Sequence, residues 1–146
     1  MCIRDRLIGL RLSADSDEVG HYSADGIILA TATGSTAYSL SAGGPIVAPT
    51  VKGIVATPIS PHTLAVRPVV FPGDALISVE LLSGDDDLQL TVDGQRGCLL
   101  QVGDRVDIAC AEHPVKLVRL SDYSFFTVLR RKLRWGDVRS HPVSEG

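Results

Sequence analysis

A mainly β domain, layered like a β-sandwich, is the fold class this sequence predicts, and three observations predict it. Short segments of alternating or β-branched residues recur with turn signals at about every ten residues. Two of these segments, Ala75 to Leu82 (ALISVELL) and Arg105 to Ala109 (RVDIA), alternate clearly. The rhythm breaks in only two places: a short helix after the TATGSTAY loop and a helix near the C-terminus.

Taken in order, Met1 to Arg6 (MCIRDR) shows neither strand alternation nor a helix start, and we assign it as a non-native N-terminus without structural weight. Residues 7–123 form the expected β-rich domain. Leu7 to Ser13 reads as a strand, Asp15-Ser16-Asp17 as a turn, and Val19 to Ser23 as the return strand, with His21 and Tyr22 half-exposed on it. Ile27 to Ala30 is a short buried strand. Ile54 to Ile59 (IVATPI) is a strand ending at Ser60-Pro61, and His62 follows in a loop, where it is either a structural residue or part of a pocket wall.

Val66 to Phe71 reads as a strand with Pro68 inside it, and Pro72-Gly73-Asp74 is a turn. Ser83 to Asp87 (SGDDD) is a solvated acidic hairpin tip, because it lacks calcium-loop spacing. Leu88 to Val92 and the segment from Gln95 to Val102 pair across Asp93-Gly94, a strong hairpin signal. Val115 to Leu120 (VKLVRL) alternates as a last strand.

The stretch 124–136 then shows apolar residues at helical spacing, with Ser121, Asp122 and Ser124 as candidate N-caps. Arg130, Arg131, Lys132 and Arg134 read as the solvated basic end of that helix. Residues 137–146 read as a disordered polar tail.

Composition narrows the function classes. Among 146 residues, 45% are hydrophobic and 21% charged, which is globular rather than disordered. The net charge of −3 offers no nucleic-acid surface, and no apolar run approaches the ~20 residues of a membrane span. Cys2, Cys98 and Cys110 lack metal-ligand spacing; Cys98 and Cys110 are expected as buried thiols in a reducing, cytoplasmic setting.

The chemistry gathers between Asp25 and Pro45 (DGIILATATGSTAYSLSAGGP). A strand, a tight turn of Thr31, Thr33, Gly34, Ser35 and Thr36, and a short helix stopped by Gly43-Gly44-Pro45 would direct N–H groups and hydroxyls into one pocket. Read from the residues alone, this turn either holds a polar, nucleotide-like ligand or only caps a short helix. No Walker lysine, nucleophile elbow or metal cluster accompanies it. Asp25 and Asp93 are the carboxylates that their glycine neighbours place at loop mouths.

The same stretch resembles the hallmark of the NAD kinase family, with Ala32 where the family usually has proline. The resemblance continues through ATPISPHTLAVRPVV (56–70), VDGQ (92–95) and DYSFFTVLRRKLRWG (122–136). It implies the C-terminal, NAD-binding β domain of an enzyme that phosphorylates the 2′-hydroxyl of the adenosine ribose of NAD, using ATP or polyphosphate and a divalent metal such as Mg. It also implies a homodimer or homotetramer without nucleic-acid or membrane partners. By the same resemblance Thr36, Ala37 and Tyr38, with Ser39, Leu40 and Ser41 along the helix, line the dinucleotide site. Asp25 reaches the dinucleotide, in the family often from a neighbouring subunit, and Ser60 and Gln95 add contacts.

The family's GGDG motif and its Asn-Glu or Asn-Asp pair are not in this sequence, so no catalytic or metal-binding residue is assigned and the chain alone is expected to be inactive. The terminal helix, with Phe125, Phe126, Leu129 and Trp135, would pack on the N-terminal domain that carries those motifs. A lipid or diacylglycerol kinase-related domain, or a non-catalytic nucleotide-binding module, are the alternatives.

Overall fold

The structure, a computed structural model, describes residues 7–63, 65–84, 88–113, 115, 116, 118 and 123–134. The N-terminal six residues, the acidic tip at 85–87, Trp135 and the tail all lie outside the described residues. The chain divides into two units, Met1–Glu112 and His113–Gly146.

The first unit is built from antiparallel strands. β1 (Ile8–Ala14) pairs with β2 (Asp17–Ala24) on one side and with β6 (Ile77–Ser83) on the other, and β9 (Arg105–Ile108) adds to β6. The result is a four-stranded sheet in the order β2-β1-β6-β9. A three-stranded sheet has the order β3 (Gly26–Thr31), β4 (Gly53–Ile59), β5 (Val69–Pro72). β7 (Leu88–Val92) and β8 (Gln95–Leu100) form a separate hairpin, in which Asp93 and Gly94 take φ 48 and 76. Both central turn residues at positive φ are what a two-residue hairpin loop demands, and Asp-Gly meets that demand at low cost.

Period-two alternation decides which side chains meet. Ile8, Leu10 and Leu12 of β1, Tyr22 of β2 and Ile77, Val79 and Leu81 of β6 turn inward against Ile54, Ala56 and Phe71 of the smaller sheet. This shared core is what makes the first unit a two-layer sandwich. Tyr22 is therefore buried rather than half-exposed, because its register partner Leu10 faces the core, and that burial pushes its phenol pKa up.

β4 is buried on both faces, which explains its nearly continuous apolar run. Ile54 and Ala56 face the shared core, while Val55 faces a second cluster with Ala32 and Val47. Pro58 is tolerated in this central strand because β5 pairs with β4 only as far as Ala56. Beyond that point Pro58 has a neighbour on one side alone, Ile27 of β3.

Three expectations are corrected here. β5 begins at Val69, after Pro68, rather than at Val66. Cys98 and Cys110 are exposed rather than buried: among the described residues the β7–β8 hairpin that carries Cys98 meets the core through Leu88 and Leu100 at its base, and Cys110 lies beyond the end of β9. Val115, Lys116 and Val118, the described part of the expected last strand, belong to no strand, and both valines are solvent-exposed.

In the second unit a single described helix spans Phe125–Leu133. Ser124 is its N-cap, accepting a hydrogen bond from the Thr127 N–H at 3.2 Å. Arg130, Arg131 and Lys132 occupy its last turn, where positive charge complements the helix dipole.

Candidate functional site

The site is built where β3 and β4 end and on the segment that folds back over them. At one end of this ladder Gly26 pairs with Ile59. One step further, the Asp25 N–H donates to the Ile59 carbonyl at 2.9 Å, and the His62 N–H donates to the Ser23 carbonyl at 3.0 Å. These two bonds tie residues 23–25 to residues 59–62, so Asp25 and Ser60 lie at one corner, both exposed. Ser60 has φ 46, in the left-handed region, directly before Pro61. An L-residue there costs roughly 1–2 kcal/mol, and a following proline disfavours helical backbone at that position.

At the other end of β3 the chain turns through a 3-10 segment, α1 (Gly34–Thr36), and a single α-helical turn, α2 (Tyr38–Ser41). Ala37 separates them at φ −98 and ψ −129, a non-helical conformation. Neither segment has a side-chain hydrogen bond at its N-cap, so the turn is not a helix cap. Nor do all its hydroxyls face a ligand. The Ser35 hydroxyl donates to the Ala32 carbonyl at 2.7 Å and accepts from the Val47 N–H at 3.1 Å. The Ser39 hydroxyl meets that of Thr57 at 2.9 Å. Thr36 bonds the Thr33 carbonyl at 3.3 Å.

The buried hydroxyls are pins. Ser39 is only 1% exposed, so its side chain belongs to the scaffold of the loop. Gly44 completes the pin: a Cβ on it would lie 2.7 Å from the Thr57 hydroxyl and 2.8 Å from the Ser39 carbonyl, closer than atoms can pack. Thr57 stands three residues before Ser60 on β4, so the Ser39–Thr57 bond brings α2 over the part of the sheet that leads to the Asp25–Ser60 corner. Thr36, Ala37 and Ser41 remain exposed there, Leu40 is half-buried, and Tyr38 is 62% exposed.

Gln95 is not brought to this corner by any contact described. It sits beside the turn of the β7–β8 hairpin, paired with Val92, about 13 Å along the strand from the base where Leu88 meets Leu100. Sequence reasoning missed Thr57, Ser35 and Gly44 as the parts that hold α2. A signal for Thr57 existed: it is the one hydroxyl in the otherwise apolar IVATPI run, and a buried hydroxyl needs a partner.

The arrangement supplies an aromatic ring, hydroxyls and one carboxylate, which suits a nucleoside more than a bare phosphate. Among the described residues no group of three or more His, Cys, Asp or Glu could hold a metal ion.

Comparison with known proteins identifies the family. A family model described as the ATP-NAD kinase C-terminal domain matches residues 2–120. The chain belongs to this family. Curated NAD kinases resemble it closely: that of Gemmatimonas aurantiaca is 51% identical over 131 residues, covering 90% of this chain and 45% of the relative. That of Syntrophobacter fumaroxidans is 47% identical over 131 residues, covering 90% and 46%. The chain thus spans about half the length of these NAD kinases.

Solved structures agree. Yeast NADH kinase complexed with NADH superposes with a TM-score of 0.67 at 42% identity, covering 71% of this chain and 30% of that one. An NAD kinase from Archaeoglobus fulgidus in complex with ATP gives 0.66 at 30% identity, covering 77% and 43%. The mainly β, antiparallel architecture is that of the NAD kinase C-terminal domain, and the lipid-kinase alternative finds no support in these relatives.

Proposed function

We propose that this chain is the dinucleotide-binding half of an NAD kinase, an enzyme that transfers a phosphoryl group from ATP or polyphosphate to the 2′-hydroxyl of the adenosine ribose of NAD, forming NADP. The observation that carries the reading is the exposed Tyr38 on a helical turn pinned by Ser39–Thr57, in a chain that matches the family over residues 2–120. Tyr38 offers a ring face for stacking and a hydroxyl for hydrogen bonding. Asp25 accepts hydrogen bonds from ribose hydroxyls or an exocyclic amine. Thr36, Ser41 and Ser60 add hydroxyls, Ala37 and Leu40 shape the wall, and Gln95 contributes from the hairpin.

These residues bind and orient; none of them is assigned the general base. The transfer also needs a divalent cation such as Mg to neutralise the phosphates. The described residues do not fit that ion, because no group of three or more His, Cys, Asp or Glu side chains gathers among them. A homodimer or homotetramer, a cytoplasmic setting and the absence of nucleic-acid or membrane partners belong to the same proposal. Among the described residues no helix is long and apolar enough to cross a membrane.

The test is Tyr38→Ala in the complete gene product that contains this chain. Loss of a base-stacking partner lowers NAD affinity by about tenfold in titration calorimetry. The unfolding transition should not move, because the ring is solvent-exposed. Unchanged NAD affinity would overturn the assignment of this loop.

A further inference from the structure

Tyr38 is exposed, yet the loop is anchored inward on both sides of it. Ser35, three residues before it, is fully buried, and Ser39, directly after it, is nearly so. Between these two, Thr36, Ala37 and Tyr38 present their side chains to solvent. The Ser39 hydroxyl is fixed on Thr57 of β4. The Ser35 hydroxyl has a different task, because it closes the loop on itself. It donates to the Ala32 carbonyl at 2.7 Å, just after β3. It accepts from the Val47 N–H at 3.1 Å, twelve residues on and past the Gly43-Gly44-Pro45 stop.

The two residues it bridges, Ala32 and Val47, are also those that pack on Val55 of β4 in the smaller buried cluster. Three small side chains bury little apolar surface, so that cluster gives the loop little grip by itself. A buried hydroxyl that serves one donor and one acceptor adds direction, and its loss would strand a backbone N–H and a carbonyl away from water. Within the span, the Ala37 N–H also bonds back to the Gly34 carbonyl at 3.0 Å. The backbone under Tyr38 is therefore set before a ligand arrives, and a ligand that meets an ordered loop keeps the affinity that ordering would otherwise consume.

We infer that Ser35 is a positioning residue of the dinucleotide site: by closing the loop between Ala32 and Val47 it presets the backbone that carries Tyr38, and so sets NAD affinity without touching the ligand. The inference rests on the dinucleotide reading above.

Titration calorimetry of the complete gene product with NAD, below the unfolding transition of each variant, is the test. Ser35→Ala should lower NAD affinity by about tenfold. Ser35→Thr, which keeps the hydroxyl, should retain the parental affinity. Because Ser35 acts through Tyr38, combining Ser35→Ala with Tyr38→Ala should give a total loss of about tenfold, where independent residues would give about a hundredfold. Val79→Ala opens a cavity in the core beneath β6, so it should lower stability and leave NAD affinity unchanged. If the unsubstituted protein does not bind NAD, the dinucleotide reading itself falls. If it binds, and Ser35→Ala binds as tightly, only the role of Ser35 is overturned. Additive losses in the double variant, a Ser35→Thr protein as weak as Ser35→Ala, or an equal loss of affinity in Val79→Ala overturn that role too. So does the absence of cooperative unfolding in Ser35→Ala, which would make the residue one of the fold alone.

Discussion

Ser39 shows how a residue can matter to a binding loop through its scaffold. Its hydroxyl and that of Thr57 satisfy each other in a place water does not reach. Ser39→Ala would leave the Thr57 hydroxyl buried without that partner, at a cost of about 1–3 kcal/mol in urea unfolding. Adding Thr57→Val removes the stranded hydroxyl and should recover part of the loss. A Ser39→Ala protein as stable as the parent would show that the pair does not hold α2. The sequence makes this loop legible as a unit, because TGSTAYSLSAGGP concentrates glycines and hydroxyls. It does not say which hydroxyls turn inward. That depends on Ala37, whose non-helical backbone rotates α2 relative to the turn before it.

At the scale of elements, the solvent face of the four-stranded sheet carries a row of charges that register creates. His21, Arg11, Glu80 and Arg105 are successive cross-strand partners on β2, β1, β6 and β9. Arg11 donates to Glu80 at 3.0 Å and to His21 at 3.1 Å. Beside the row, Asp107 accepts from Ser78 at 2.6 Å and from Arg105 at 2.7 Å, and Arg105 also donates to Ser78 at 2.7 Å. The Ser78 and Arg105 bonds hold the Asp107 carboxyl below its ordinary value of 3.8.

The unfolded chain therefore binds this proton more readily than the folded one, so stability rises with pH across that interval. The contribution is fully present above the ordinary value and disappears as pH falls through the lowered native one. Asp107→Asn should flatten this part of an acid-unfolding curve. An acid limb that keeps its shape in the variant would rule the contribution out. The separate strands were readable from alternation, but their order β2-β1-β6-β9 was not, since it joins segments more than sixty residues apart.

At the scale of the molecule, burial follows from which strands acquire a second layer. Both sheets of the sandwich share one core, whereas the β7–β8 hairpin leaves Leu99 67% exposed despite its apolar sequence. Cys98 on that hairpin and Cys110 after β9 should accordingly react with a thiol reagent in native buffer, without denaturant. Protection of Cys98 until unfolding would mean that the hairpin is covered in solution. Local apolar composition predicted burial for both thiols and was misleading, because it cannot report whether another layer lies above a strand.

By itself the sequence determined the mainly β class, most strand and turn positions, the Asp-Gly hairpin, the existence of the C-terminal helix and the loop that carries family likeness. These are local: backbone propensity, side-chain period and turn chemistry act over a few residues. Tertiary structure alone decided that Ser35 and Ser39 are pins, that Tyr22 is core, that Cys98 is exposed, and that Ser60 and His62 return to Asp25. Each of these depends on hydrogen bonds and packing between residues distant in the chain, whose partners no local pattern names.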